Sequence, residues 1–157
     1  MASLIYVSCS TLDYPAGRDA LEDIRLVSLA RNSVLDITGL LIATPTYFAQ
    51  LLEGDRPALD ELMDSIVRDG RHRDVITVDR QQADTRRYPR WSMAGFGPSS
   101  FVSRTIHPVL EAVHRGADAG DVAAVRSLIH RLVPEDSESV PRFVAGDTDA
   151  MTPRPEE

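Results

Sequence analysis

The chain reads as an α+β sandwich: one antiparallel sheet with two helices on one face, followed by a two-helix extension. Three observations predict it. Short β-type runs and amphipathic helical repeats follow one another in the order β-α-β-β-α-β, with one further strand, which is the order of a ferredoxin-like sandwich. The 157 residues, 43% hydrophobic and 26% charged, are enough for one ordinary core without staples. After Gly97-Pro98 the pattern turns helical, and from Val133 onward Pro, Ser, Asp, Glu and Thr dominate. The expected division is a sheet-and-helix unit over 1–98, a helical extension over 99–133 and a flexible acidic tail over 134–157.

Leu4 to Ser8 is a β-type run ended by the turn-rich stretch Thr11 to Gly17. In the helix that follows, Ala20, Leu21, Ile24, Val27, Ser28 and Arg31 recur at spacings of three and four, and Ile24, Ser28 and Asn32 form one i, i+4, i+8 row ending in an amide. Ile37 to Ala43 and Tyr47 to Leu52 read as two strands joined by the short Thr44-Pro45-Thr46 turn. Asp55 is placed as an N-cap and Pro57 inside the first turn of a second helix. Leu59, Leu62, Met63, Ile66 and Val67 form its apolar stripe, and Gly70 follows its end. Strands are expected over Val75–Asp79 and Trp91–Phe96, then helices over Pro108–Arg115 and Asp121–Leu132. A hairpin of two small helices cannot stand alone. It is expected to cover the sheet's second face, which carries Ile5, Val7 and Leu51, and to contribute to self-association.

The charge balance narrows the function. Against 17 basic residues stand 24 acidic ones, a net charge of −7, which argues against a nucleic-acid partner or an anionic membrane surface. Every one of those basic residues is arginine, so chemistries that need a lysine amine are excluded. Cys9, the single cysteine, excludes a disulfide framework and reads as a packing thiol, while the scattered histidines suggest no metal site. No Gly-x-Ser-x-Gly element surrounds a serine, and the chain does not read as an enzyme. With no basic-then-apolar leader and no apolar run near the ~20 residues that span a bilayer, a cytoplasmic protein is expected.

Alternation along the strands puts Leu4, Tyr6 and Ser8 on one face, with Phe48, Gln50 and Leu52, and with Trp91 and Met93. If these sets face the helices, Gln50 is a buried primary amide that needs a partner, and Tyr6 on a neighbouring strand can supply it. Asn32 adds a second amide. A tyrosine and two amides between apolar helices suit a flat heteroaromatic ligand with alternating donors and acceptors.

Tyr6-Val7-Ser8, Asn32, Ile37-Thr38-Gly39-Leu40-Leu41, Phe48-Ala49-Gln50-Leu51-Leu52-Glu53-Gly54, Asp69-Gly70-Arg71-His72 and Trp91-Ser92-Met93 follow one another in order. In sequence and spacing they resemble a BLUF domain, the flavin-binding blue-light sensor, from about Ser3 to Phe96. The helical hairpin resembles the extension of short, stand-alone members. The resemblance implies a non-covalently bound flavin, FAD with FMN or riboflavin tolerated, lying between the two helices. Ile24 and Ile66 would pack its faces, with Ser28 and Phe48 lining the site. Asn32 would bond its polar edge, and Asp69, Arg71 and His72 would lie near the ring or the ribityl chain. Arg31 stands where relatives often carry His or Asn, and Ser65 where some have an arginine. Gln50 would sit between Tyr6 and the ring. Light would draw an electron and a proton from Tyr6, and Gln50 would relay the proton and be left rotated or tautomerised, donating to the flavin C4 carbonyl. Trp91 and Met93 would transmit the change, and which of them faces the flavin is open from sequence. The output would pass to a protein effector in trans or through a homo-oligomer. A small-molecule-binding regulatory module on the same fold, without photochemistry, is the alternative.

Overall fold

β1 (Ala2–Ser10) lies inside a five-stranded sheet of order β4-β1-β3-β2-β5, with β2 (Thr38–Ala43), β3 (Tyr47–Gly54), β4 (His72–Gln82) and β5 (Ala94–Phe96). This computed structural model describes residues 1–13, 16–99, 102–116 and 118–132. The expected acidic tail over 134–157, and Tyr14 and Pro15 of the first turn, fall outside the described residues.

The order β4-β1-β3-β2 is the ferredoxin-like arrangement, its neighbours antiparallel. The added strand corrects the expectation of a wholly antiparallel sheet, because β5 runs parallel to β2, Leu40 opposite Ala94. β5 is also shorter than the expected Trp91–Phe96. Residues 91–93 are not strand: Gly39 N donates to Trp91 O at 2.6 Å, and ladder pairing starts only at Ala94. A Cβ on Gly39 would meet Leu51 O at 2.2 Å, so only glycine fits where β2 lies this close to β3.

α1 (Arg18–Val34) and α2 (Arg56–Arg68) cover one face. Asp55 caps α2 by position without a side-chain cap bond, and Pro57 sits in the first turn as expected. Val27 and Val67, placed in the apolar stripes, are instead 57% and 61% exposed. Val27 stands one residue before Ser28 of the inward row and Val67 one after Ile66, and buried Arg25, paired with Glu22 at 2.7 Å, takes a place on α1 that an apolar pattern does not anticipate.

On the other face a π-helical turn, Val102–Ile106, leads into α3 (His107–Gly116), and α4 (Ala119–Leu132) follows. Val102, Ile106, Leu110, Val113, Val125, Ile129 and Leu132 close over Ile5, Val7, Leu40, Ile42, Ala49 and Leu51. Polar ties fix the same contact: Arg126 pairs with Asp79 of β4, and the Tyr88 hydroxyl meets His130 Nδ1 at 2.9 Å. Among the described residues no helix is long and apolar enough to cross a membrane.

Candidate functional site

Tyr6 and Gln50 are cross-strand partners of β1 and β3, so their side chains rise together toward α1 and α2. Tyr6 Oη donates to Gln50 Oε1 at 2.6 Å. The other end of the amide, Nε2, donates to Met93 Sδ at 3.3 Å. A thioether is a weak acceptor, so the amide is held firmly on the phenol side and loosely on the sulfur side. Burial pushes the Tyr6 phenol far above its usual range, and the negative charge of Asp69 adds to the shift. At neutral pH Tyr6 is therefore a protonated phenol with its proton aimed at an amide oxygen.

Asn32 ends the row on α1 fully buried. Its Nδ2 donates to Ser92 O at 2.9 Å, while Oδ1 is the one buried side-chain polar atom among the described residues with no hydrogen-bond partner. An unmatched buried acceptor costs ~1–3 kcal/mol, so the position calls for a donor. Ile24 is buried on the same row, Ser28 half-buried, and Ile66 of α2 packs on the same cluster from the other helix.

His72 opens β4, buried against Phe48 with ring centroids 4.7 Å apart and edge-on to Tyr6 at 6.0 Å. Its Nδ1 lies 3.0 Å from Ser8 Oγ. Burial brings its pKa down to about 4 against the opposing pull of Asp69, which leaves a neutral imidazole at pH 7. Asp69 and Arg71 form a bidentate pair at the rim, Nη2 to Oδ2 at 2.6 Å, and this bond holds the carboxyl below its usual range and raises the guanidinium. Arg31 Nη1 donates to Ser65 Oγ at 2.5 Å, tying α1 to α2.

The structure thus brings Tyr6, Gln50, Met93, Asn32, Phe48 and His72 to one face. Trp91 is not with them, which corrects the expectation that it shares a face with Met93. Met93 is buried among the residues under α1 and α2, whereas Trp91 packs in the opposite core, stacked on Tyr88 with centroids 5.6 Å apart. Residues 91–93 are not strand and the chain bends at Ser92, so strand alternation does not apply to them. Ser8, which its i+2 spacing puts on the Tyr6 face, meets His72 there. The Ser92 carbonyl that Asn32 bonds carries no sequence signal. Buried Glu53, whose carboxylate accepts from Arg87 N and Tyr88 N at 2.9 Å, was missed because its partners lie 34 and 35 residues away.

A flat ring offering an imide N–H between two carbonyls fits this set: Asn32 Oδ1 needs a donor, Gln50 presents an amide, and apolar side chains wall both sides. The family model described as "Sensors of blue-light using FAD" (BLUF) matches residues 1–94. The chain belongs to this family of flavin-binding blue-light sensors, whose cofactor is FAD. Among curated relatives, photoactivated adenylate cyclase subunit beta of Euglena longa is 36% identical over 94 residues, 59% of this chain and 11% of that protein. The blue light- and temperature-regulated antirepressor BluF of Escherichia coli is 29% identical over 96 residues, 61% of this chain and 23% of its own length. The chain thus spans about a tenth to a quarter of these relatives. Among solved structures, the dark state of the BLUF protein BlrB is 30% identical with a TM-score of 0.68, covering 84% of this chain and 96% of BlrB. That share exceeds the family match and so takes in part of the helical extension.

Proposed function

We propose that Tyr6 and Gln50 are the photochemical unit of this sensor, that Asn32 with Ile24, Ser28, Phe48, Ile66, Asp69, Arg71 and His72 holds the flavin, and that the signal leaves through residues 91–93. The observation that carries this reading is the 2.6 Å bond from Tyr6 Oη to Gln50 Oε1, buried beside the unpartnered Asn32 Oδ1. When bound and excited by blue light, the flavin supplies an oxidant strong enough to take an electron from a phenol. Once oxidised, Tyr6 would be strongly acidic, with a preformed path for its proton to Gln50 Oε1, and return of the electron and the proton would restore the phenol and leave only the amide turned. A turned Gln50 directs Nε2 toward Tyr6 and Oε1 toward Met93, which has no proton to offer, so Met93 loses its place beside the amide.

Met93 cannot shift alone. Asn32 Nδ2 holds the neighbouring Ser92 carbonyl, and Trp91 is held by Gly39 N and stacked on Tyr88. Movement at Met93 therefore passes along 91–93 to Tyr88 and so to His130 on α4. A hydrogen-bond exchange of this kind is worth on the order of 1–3 kcal/mol, enough to bias a two-state element. The output is read from α3 and α4 by a protein partner or a second copy of the chain. In this role the protein acts in the cytoplasm as a sensor, not as a catalyst, and division at about residues 98 and 133 separates sensor, relay and tail.

Absorption spectroscopy of the purified protein tests the reading. The expected result is a yellow protein, with FAD, FMN or riboflavin bound, whose flavin band shifts reversibly to the red under blue light without bleaching. A colourless preparation that cannot be reconstituted would contradict it and favour a binding module without photochemistry.

A further inference from the structure

Away from the flavin face, three ligand-type side chains from three elements converge where β1, β4 and α3 meet: Cys9, Asp74 and His114 each place a donor atom within 4.8 Å of the other two. We propose that they form a binding site for a zinc-class divalent cation that pins α3 to the sheet. The proposal does not depend on the flavin reading.

The geometry is the first support. Cys9 Sγ lies 3.6 Å from His114 Nε2. A tetrahedral zinc with Zn–S about 2.3 Å and Zn–N about 2.0–2.1 Å sets its sulfur and nitrogen ligands about 3.5 Å apart, so this pair is already at the spacing of two ligands of one ion. In the metal-free protein His114 Nε2 donates to the backbone carbonyl of Asp74 at 3.0 Å, so binding the ion means shifting that proton to Nδ1 and freeing the Nε2 lone pair, with the carbonyl left as a fourth oxygen beside the carboxylate.

The backbone is the second support. Between the pairs Val7↔Ile76 and Cys9↔Arg73 the register shifts, so β4 spends three residues where β1 spends two. Asp74 sits in that bulge at φ 52°, in the left-handed region that a side-chain-bearing residue rarely adopts. Bulges re-aim side chains, and this one sets Asp74 beside Cys9 and His114. The donor set chooses the ion. One thiolate, one imidazole and one carboxylate suit zinc and its borderline-soft neighbours, whereas calcium and magnesium select oxygen ligands. Two anionic ligands offset the ion's charge. Arg73 competes for Asp74 at 3.3 Å, but both side chains are more than 60% exposed and such a pair is weak.

The experiment uses the full chain, stripped with a chelator and titrated with zinc in competition with a chelating dye, and X-ray absorption at the zinc edge of the loaded wild-type protein. The expected outcome is one zinc per chain with one sulfur neighbour among nitrogen and oxygen ligands. Affinity should fall at least about 100-fold in Cys9→Ala and in His114→Ala, and at least tenfold in Asp74→Asn. Zinc should also raise the melting temperature of the wild type but not of Cys9→Ala. The absorption spectrum decides if a variant does not fold, since it needs no substitution. A zinc environment without sulfur, unchanged affinity in folded Cys9→Ala, or no stoichiometric binding overturns the proposal.

Discussion

Two faces of one sheet, built from alternate residues of the same strands, have opposite chemistry. Toward α3 and α4 the pair Ile5 and Leu51 is fully buried in an apolar layer that the chain closes by itself. One residue along, the pair Tyr6 and Gln50 faces α1 and α2, with Asn32 and His72 beside it. Only the pleat separates the two pairs. The closed face satisfies itself, and the other buries an acceptor, Asn32 Oδ1, that the described residues leave unmatched. The second face gives up self-sufficiency for a ligand, and the first stabilises the sheet on which that is possible.

The comparison can be broken most forcefully on the closed face. Leu51→Ala removes a wholly buried side chain under α3 and α4 and should cost about 2–5 kcal/mol in urea unfolding, while protein that stays folded keeps its light response. A loss below ~1 kcal/mol would show that this face does not carry the fold.

His72 tests the other face through pH. Its folded pKa of about 4 lies below the ordinary 6.5, so the unfolded chain takes up the proton first. The contribution to stability is therefore complete above pH 6.5, declines as pH falls and is lost by about pH 4, amounting to at most about 3 kcal/mol. Urea midpoints from pH 7 to 4 should drop less in His72→Phe than in the wild type. Equal pH slopes would mean that the imidazole is not held neutral by burial.

The smallest effect sharpens the link between the faces. Tyr88→Phe keeps the stack on Trp91 and removes the hydroxyl bonded to His130, so it should cost only about 1 kcal/mol. If the relay runs through this bond, the variant keeps its red shift but loses light-induced change in amide exchange along α4. Unaltered exchange differences would place the relay elsewhere.

Much of this was legible in the sequence because period-2 and period-3.6 patterns report faces. Leu4, Tyr6 and Ser8 opposite Phe48, Gln50 and Leu52, and the row Ile24, Ser28, Asn32, all follow from spacing, and both C-terminal helices lie where their apolar stripes require. The failures have a common cause. Trp91 and Met93 were assigned one face by strand alternation, but that rule needs extended backbone, and residues 91–93 are held by the long-range bonds from Gly39 N and Asn32 Nδ2. Glu53 with Tyr88, and Cys9 with His114, are likewise joined only by tertiary approach, over 35 and 105 residues. Local periodicity contains no trace of such contacts.

The central claim is that Tyr6 and Gln50 act as one unit, and light-minus-dark absorption of Tyr6→Phe, Gln50→Leu and the double variant tests it most directly. All three should remain yellow and folded and show no normal red shift, the double being no worse than either single, as for groups acting in series. Asn32→Ala is the control, weakening flavin retention while bound molecules stay photoactive. A normal red-shifted state in Tyr6→Phe would contradict the account, because the electron would then come from another donor.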